Sequence, residues 1–364
     1  MIKKKILIAT GGTGGHILPA YSLANYFLTK NYIVKLTTDK RGLKYIQNLE
    51  NLSLKKISSS PLLKKNIFEF FTSGFKILFS IFESLIFLAF NRPSIVFGMG
   101  GYSSFPICVA SKLLKIKFII YENNLIIGKA NKYLLPFADK IFVSYKEVEG
   151  IADKYKNKLV EIGNLVREEI ISSKIMKSNY DNFEKIKILV IGGSQAAKIF
   201  ADELPQIFKK CKELKKPIKI YQQCQESQNF QLSQFYKDAS IDHEIFNFTD
   251  KILKYYLNSN LIITRSGASV LGEIINLKIP FIAIPLPSST DNHQLKNAEF
   301  YSKKGYGYFI EEKNIRYKLY DLIKLIFTNK SATKSMLSSQ EQYSDKEIFK
   351  NLNAQIERIL DEKN

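Results

Sequence analysis

Cysteine is scarce in this chain of 364 residues, and the three that occur lie far apart. Cys108, Cys211 and Cys224 match no metal-ligand spacing and leave an odd number, which is the usage expected where thiols stay reduced. The first residues include lysines but lack the uninterrupted apolar stretch and small-residue cleavage site of a signal peptide. We therefore expect a protein that stays in the cytosol, and we assign the cysteines no chemistry.

The chain also lacks the arginine-rich tract, zinc-finger spacing and RNP-like aromatic motif of nucleic-acid-binding proteins. Its formal charge of +20 comes largely from lysines scattered along the sequence. A lysine-rich proteome would produce the same balance without functional meaning. The alternative is that the positive field attracts an anionic membrane face or phosphate-bearing substrates. Both interpretations stay open, and no nucleic-acid partner is expected.

No unbroken apolar run reaches the length of about 20 residues that a transmembrane helix requires. The most apolar stretch, residues 66–90, has polar side chains at every third or fourth position, which indicates a helix with a polar stripe. In one interpretation it is a core helix whose stripe faces water. In the other, its phenylalanines enter a bilayer interface and nearby lysines meet lipid phosphates. The polar positions are Glu69, Thr72, Ser73, Lys76, Ser80 and Glu83, the phenylalanines are Phe68, Phe71, Phe75, Phe79 and Phe82, and the lysines are Lys64 and Lys65.

A glycine-rich turn organises the N-terminal half. Residues 5–20, KILIATGGTGGHILPA, change from an apolar run to a helical pattern across four glycines. Strand, glycine turn and helix form the phosphate-binding unit of doubly wound α/β domains, because bare amides there approach an anion. The dinucleotide fingerprint is incomplete, since Ile17 stands where its third glycine belongs, and no Walker lysine follows. Gly12, Gly14 and Asp39 still leave an NAD-dependent oxidoreductase as an alternative.

The same arrangement recurs along the chain. Strand-to-helix turns follow at residues 98–106 and 265–269, and residues 187–200, KILVIGGSQAAKIF, restate the first turn one residue shorter. This repetition predicts an α/β fold with two similar doubly wound domains and a cleft between them. The expected boundaries are 1–162 for the first domain, 163–339 for the second, and 340–364 for a C-terminal helix that packs back on the first.

Seven motifs, taken in order, make the chain resemble one family. They are GGTGGH at 11–16, GMGGY at 98–102, YENN at 121–124, GNLVR at 163–167, GGSQ at 192–195, RSGA at 265–268 and DNHQ at 291–294, with Asn297 after them. On these motifs the sequence is identified as a member of the MurG family, the bacterial N-acetylglucosaminyltransferases of peptidoglycan synthesis. Three positions depart from the family pattern: Tyr121 replaces a histidine, Leu165 a proline and Ala196 a glycine.

The resemblance implies a GT-B fold, with two Rossmann-like domains facing a central cleft. It implies inverting transfer of N-acetylglucosamine from UDP-N-acetylglucosamine to undecaprenyl-linked lipid I, which forms lipid II. The first domain would receive lipid I, and the second would bind the UDP-sugar. The protein would be peripheral at the cytoplasmic face of the bacterial inner membrane, and cell-wall synthesis proteins are left open as partners. A UDP-sugar epimerase or hydrolase of similar fold remains an alternative, as does a membrane-bound scaffold without catalysis.

The resemblance also assigns roles to individual residues. His16 is the candidate proton acceptor, because imidazole titrates near neutral pH, and Glu122 is its rival. The residues implied in UDP-N-acetylglucosamine binding are Thr13, Gly14, Gly15, Asn124, Arg167, Ser194, Thr249, Ala268, Ser269, Val270, Leu271, Gly272, Glu273, His293 and Gln294. Those implied in acceptor binding are Gly100, Gly101 and Tyr102. No Asp-x-Asp pair is present to ligate a metal, so no metal site or required cofactor is expected, and loosely bound Mg²⁺ is left open.

Overall fold

The computed structural model describes residues 4–12, 14–45, 52–57, 67–173, 184–193, 197–249 and 251–361. The contacts divide the chain into two units. Unit 1 comprises Met1–Arg167 with Asp345–Asn364, and unit 2 comprises Glu168–Ser344. The chain thus crosses between the units after residue 167 rather than 162, and returns after residue 344 rather than 339. The substrate assigned to each domain stays a prediction.

Unit 1 is built on a parallel sheet. Its strands are Lys5–Ala9 (β1), Ile33–Thr38 (β2), Ser53–Lys56 (β3), Ile95–Gly98 (β4), Phe118–Glu122 (β5), Lys140–Val143 (β6) and Leu159–Glu161 (β7). All pair in parallel in the order β3-β2-β1-β4-β5-β6-β7. The central strands β4 and β5 are buried along their whole length, as expected when helices cover both faces of a parallel sheet.

The helices of unit 1 include the last helix of the chain. They are Gly14–Thr29 (α1), Ile67–Phe90 (α2), Ser104–Leu113 (α3), Lys129–Leu134 (α4) and Ile348–Asp361 (α13). Leu7 and Phe118 of the sheet share one apolar core cluster with Ile107 of α3. Phe349 of α13 stacks on Tyr26 of α1, with the ring centroids 4.7 Å apart. Hence α13 packs on unit 1, whereas residues 340–344 lie in unit 2.

Unit 2 repeats the plan with a second parallel sheet. Its strands are Ile186–Ile191 (β8), Ile218–Gln223 (β9), Asp242–Phe246 (β10), Leu261–Thr264 (β11), Phe281–Ala283 (β12) and Tyr308–Phe309 (β13), in the order β10-β9-β8-β11-β12-β13. Its helices are Glu168–Ser172 (α5), Lys198–Lys210 (α6), Asn229–Asp238 (α7), Ile252–Leu257 (α8), Ala268–Asn276 (α9), His293–Lys303 (α10), Ile315–Thr328 (α11) and Lys330–Glu341 (α12). The prediction of two doubly wound α/β domains is confirmed.

Two strands lack a signal in the sequence. Strand β3, SLKK, has no apolar run because it is an edge strand and most of it is exposed. Strand β13 has only two residues, which is too short for a period-2 pattern to develop. Both extend a sheet whose inner strands are strongly apolar, so their pairing depends on the sheet that is already present.

Helix α2 turns serines inward and phenylalanines outward. Ser73, Ser80 and Ser84 are buried, and the helix packs against α3. Its exposed large side chains are Phe75, Leu78, Phe79, Phe82, Ile86 and Phe90. The interpretation that the polar stripe faces water is therefore wrong for the serines. The side chains of Phe68, Glu69 and Phe71, and the residues Lys64 and Lys65, lie outside what the structure describes.

Helix α2 is also long and apolar, although most of it is exposed. Among the described residues, the stretch Thr72–Phe90 has the length and composition to cross a membrane, with a mean hydropathy of 1.7 and only 22% of it buried. The polar side chains in this stretch predict that it does not span a membrane, but they leave its length and mean hydropathy within the range of a membrane-spanning helix. Burial of the serines means that one side of the helix packs against protein.

Candidate active site

The glycine turns of unit 1 lie at the carboxyl edge of its sheet, where the strand order reverses. Strand β1 lies between β2 and β4. In open α/β sheets a ligand binds at this reversal, outside the carboxyl ends of the strands. The turns that follow β1 and β4 are therefore in the position where a ligand is expected.

These two turns approach each other through their backbones. Gly101 has a φ of +78°, and a Cβ built on it would come within 2.5 Å of the Gly11 carbonyl oxygen. Beside this contact, Ser103 Oγ donates to the Thr10 carbonyl oxygen at 2.7 Å. Only glycine tolerates both this φ and this approach. The two turns consequently form one continuous backbone surface.

His16 stands in the first turn of α1, against the second glycine turn. A Cβ built on Gly100 would lie 2.9 Å from both Cε1 and Nδ1 of His16, so the imidazole lies directly beside that glycine. The Thr10 hydroxyl donates to the His16 carbonyl oxygen at 3.1 Å. The ring is only partly buried. The structure thus places His16, the predicted proton acceptor, beside Gly100, which is predicted to bind the acceptor substrate.

Asp39 supports the first glycine turn, a role that the sequence pattern did not reveal. Its Oδ1 accepts hydrogen bonds from Gly12 N at 3.3 Å and Gly42 N at 2.9 Å, and its Oδ2 accepts one from Arg41 Nη2 at 2.7 Å. Burial raises the pKa of this carboxyl, but the bonds from Arg41 and the two amides outweigh it and hold the pKa below its usual value. These bonds weigh against the ribose contact of a dehydrogenase.

Glu122 is a buried carboxylate that organises its own loop. Only 2% of the residue is exposed. Its Oε1 accepts from Asn124 N at 3.1 Å and Asn124 Nδ2 at 2.9 Å. Its Oε2 accepts from Gly128 N at 2.9 Å and Asn131 Nδ2 at 3.0 Å. Because both carboxylate oxygens are occupied by donors of its own loop, Glu122 has a structural role. The geometry therefore favours His16 over Glu122 as the proton acceptor.

Asn123 ties the loop after β5 to α1, a contact that no sequence signal indicated beyond its place in YENN. Its Nδ2 donates to the Gly15 carbonyl oxygen at 3.1 Å. The predicted site residues that the structure gathers at this edge of unit 1 are Gly14, Gly15, His16, Gly100, Gly101, Tyr102, Glu122 and Asn124. The predicted residues Thr13 and Ser194 lie outside the described residues.

In unit 2 the matching position is the turn between β11 and α9. Strand β11 borders β8, where the strand order of this sheet reverses. The first-turn amides of a helix have no acceptor within it and attract anions. Residues 268–270 form that turn of α9. Leu271, by contrast, is fully buried with its N–H bonded to the Gly267 carbonyl oxygen at 3.1 Å, and Gly272 is buried with it. Within the predicted set, residues 268–270 are therefore the ones in the first turn of α9, and their contact with a diphosphate stays a prediction.

Arg265, in the RSGA motif, stabilises the turn before α9 through several contacts. Its guanidinium carbon lies 4.7 Å from the Phe200 ring centroid, and the group pairs with Glu312. It also donates to two carbonyl oxygens after β12 at 3.2 Å. From α10, Asn297 Nδ2 donates to the Ser266 carbonyl oxygen at 3.0 Å. The turn before α9 is thus braced from two sides.

Glu273 lies one turn into α9. It is buried, and its Oε2 accepts a hydrogen bond from Tyr256 Oη at 3.1 Å. Thr249, at the end of the loop after β10, accepts from Lys251 N at 3.1 Å through its hydroxyl. The resemblance to the family implies that Glu273 contacts the ribose hydroxyls and that the Thr249 backbone contacts the uracil, and both roles stay predictions.

The start of α10 presents two oriented polar side chains. His293 Nδ1 donates to the Thr290 carbonyl oxygen at 2.6 Å, so its Nε2 is the acceptor in the neutral ring. Gln294 Oε1 accepts a hydrogen bond from Leu286 N at 3.0 Å, so the NH₂ group of Gln294 points away from Leu286 N. Side chains fixed in this manner suit the recognition of sugar hydroxyls.

Arg167 is the last residue of unit 1 before the crossing, and α5, which follows it, contacts α9. Among the described residues, no three His, Cys, Asp or Glu side chains lie close enough together to hold a metal ion.

Comparison with known proteins points to one family. Residues 6–143 match the glycosyltransferase family 28 N-terminal domain, and residues 187–355 match the family 28 C-terminal domain. A relative from Pelagibacter ubique is 35% identical over 99% of this chain and 100% of its own length. That relative is named UDP-N-acetylglucosamine–N-acetylmuramyl-(pentapeptide) pyrophosphoryl-undecaprenol N-acetylglucosamine transferase.

Solved structures share the fold, which is of the GT-B type. Acinetobacter baumannii MurG gives a TM-score of 0.77 at 22% identity, over 98% of this chain and 99% of that one. A putative UDP-N-acetylglucosamine 2-epimerase from Listeria monocytogenes gives 0.67 at 14% identity, over 100% and 98%. The fold alone therefore does not separate a transferase from an epimerase, whereas the sequence relationship does. The chain belongs to glycosyltransferase family 28 and, within it, to the MurG family.

Proposed function

We propose that this chain transfers N-acetylglucosamine from UDP-N-acetylglucosamine to the C4 hydroxyl of the N-acetylmuramic acid of lipid I, with inversion, to form lipid II. The family supports the reaction class, and the name of the Pelagibacter relative supports both substrates. The observation that carries the proposal is His16, held beside Gly100 where the strand order of unit 1 reverses. A proton acceptor at a ligand-binding edge is what an acceptor hydroxyl requires.

The donor diphosphate gains negative charge as the sugar departs. We assign its neutralisation to the first-turn amides at residues 268–270 and to Arg167, without a required metal ion. Such donors bind the diphosphate of the substrate, and they lower the barrier because they interact still more strongly with the transition state. Glu273, His293 and Gln294 would hold the ribose and sugar hydroxyls.

The test is UDP release and lipid II formation from UDP-N-acetylglucosamine and a lipid I analogue, with and without EDTA. The wild-type protein should form product in both conditions. His16→Ala should lower kcat about 10²- to 10⁴-fold, the usual contribution of general acid–base catalysis, and abolish the acidic limb of the pH profile. Turnover of the UDP-sugar without acceptor would instead indicate an epimerase or hydrolase.

Glu122→Gln separates the two candidate bases. Because the carboxylate accepts four hydrogen bonds inside its loop, we expect a lower unfolding midpoint with the pH profile of the remaining activity unchanged. If Glu122→Gln removes the acidic limb at unchanged stability while His16→Ala keeps it, Glu122 is the base and our assignment is wrong.

We also propose that the protein binds the cytoplasmic face of the bacterial inner membrane through α2. Phe75, Phe79 and Phe82 are more than half exposed, and Phe75 is 74% exposed. Exposed aromatic rings on one helix face lose water contact when they enter the lipid interface, which stabilises a peripheral complex. The charge of +20 adds attraction to anionic lipids.

Sedimentation with vesicles tests this proposal. The protein should sediment with vesicles that contain anionic lipid, and less so at high salt, because screening weakens the charge term. Phe75→Ser with Phe79→Ser should reduce sedimentation without changing the circular dichroism spectrum. The matched control is Phe230→Ser on α7, which removes a ring that is 84% exposed in unit 2. If both variants sediment alike, α2 is not the binding surface.

A further inference from the structure

The segment that leads the chain out of unit 1 contains a tight turn. Val166 N donates to the Asn164 carbonyl oxygen at 2.8 Å, which closes a three-residue turn centred on Leu165. Leu165 is not among the residues with positive φ. The turn is therefore of the inverse γ type, whose central φ is about −75°. Arg167 follows two residues later, at the crossing to unit 2.

The hydroxyl of Tyr121 lies beside this turn. Leu165 N donates to Tyr121 Oη at 3.1 Å, and Ser144 Oγ lies 2.9 Å from the same oxygen. Tyr121 Oη donates to the Gly163 carbonyl oxygen at 3.2 Å. A phenol has one donor and two lone pairs, so all three bonds are satisfied when Ser144 also donates. Tyr121, Ser144 and Leu165 are buried, and burial raises the pKa of Tyr121, which keeps the hydroxyl protonated.

The returning chain is bonded to the same segment. Asn164 N donates to Asp345 Oδ1 at 3.0 Å. Gly163 has a φ of +95°, and a Cβ built on it would come within 2.4 Å of that oxygen. Asn164 Nδ2 donates to Tyr145 Oη at 3.0 Å. Residues 163–165 are thus held by β5, by the segment after β6 and by the segment before α13.

Leucine and proline would hold this turn by different means. Proline fixes φ at about −65°, close to the value of the turn, but has no N–H to donate. Leucine leaves φ free and supplies an N–H, and Tyr121 is the group that accepts it. Tyr121 and Leu165 are both positions where the sequence departs from the family pattern. These two residues are the donor and the acceptor of one hydrogen bond, from Leu165 N to Tyr121 Oη.

We propose that Tyr121 is a positioning residue: through Leu165 N–H its hydroxyl fixes the segment that carries Arg167, and so prepares Arg167 for the donor diphosphate. The proposal rests on the proposed function for its consequence in catalysis. Tyr121 itself touches neither substrate in this scheme. Its effect should therefore appear in donor binding rather than in proton transfer.

Three variants test the proposal: Tyr121→Phe, Leu165→Pro and the double variant. A hydrogen bond contributes up to about tenfold in an equilibrium constant, so Tyr121→Phe should speed hydrogen exchange at the Leu165 amide and raise KM for UDP-N-acetylglucosamine by about that factor. Leu165→Pro alone should also raise KM for UDP-N-acetylglucosamine. Proline has no N–H, so Tyr121 Oη loses the Leu165 donor and faces the proline ring instead. The double variant should recover most of the wild-type KM, because proline fixes the turn and has no N–H that needs the Tyr121 hydroxyl as acceptor.

The matched control is Tyr236→Phe, which removes another buried tyrosine hydroxyl, bonded to Gln222 Oε1 in unit 2. It should lower the unfolding midpoint and leave KM unchanged. An unchanged KM in Tyr121→Phe, or effects that simply add in the double variant, would overturn the proposal. If the wild-type protein forms no lipid II, the proposed function fails, while hydrogen exchange at residues 163–168 still reports whether Tyr121 holds the turn.

Discussion

Asp39 and Glu122 are both buried carboxylates at the carboxyl edge of the sheet of unit 1. In the sequence each is an acid at the end of an apolar strand, a position that suits a ribose contact, a general base or a solvated loop. The structure places amide donors around both: Gly12 N reaches Asp39 from the turn after β1, and the loop that follows Glu122 folds back on it. Which of these roles an acid takes depends on how the surrounding loops fold, so the strand pattern could not decide it.

Asp39→Asn should lower the free energy of unfolding by about 1.5–3 kcal/mol at neutral pH, the range for hydrogen bonds to a charged group. The folded-state pKa of Asp39 is depressed, so its contribution is complete above the unfolded-state pKa of about 3.9 and is lost as pH falls through the folded-state value. The difference in stability between the wild-type and variant proteins should therefore begin to shrink as pH falls below about 4. Urea unfolding between pH 3 and pH 8 measures this difference. A constant gap across that range would show that the Asp39 charge does not support the turn.

At the scale of elements, α2 shows how composition and packing can point in opposite directions. Its polar and apolar positions predict a helix correctly, but the usual rule that serines face water and phenylalanines face the core is reversed. Small side chains let α2 approach α3 closely, and Ser84 Oγ returns a hydrogen bond to the Ser80 carbonyl oxygen at 2.6 Å. The hydroxyl is thereby satisfied without water, which permits its burial.

Ser84→Leu should destabilise unit 1 by about 1–3 kcal/mol, because added methylenes overpack a buried contact between helices. The control is Leu78→Ser on the exposed side of α2, which should change stability little. Urea unfolding followed by circular dichroism compares the two variants. An unchanged unfolding midpoint for Ser84→Leu would mean that the buried side of α2 is not tightly packed at Ser84.

At the scale of the whole molecule, repetition in the sequence was the strongest guide. Two apolar strands followed by paired glycines, near residues 5 and 187, predict two similar domains, and both strands lie in the interior of their sheets. They are observed as Lys5–Ala9 and Ile186–Ile191. Edge strands β3 and β13 were missed, since edge position and shortness remove the pattern.

Apolar runs, glycines and ordered motifs are local features, so they were enough to predict the class of fold, the family and the turns that form the candidate site. The folded chain was needed to show that His16 lies against Gly100, that Asp39 supports the first turn, and that Tyr121 accepts a hydrogen bond from Leu165. Each of these contacts joins residues from different strands or turns. They form because parallel strands bring their carboxyl ends to one edge, which no local pattern encodes.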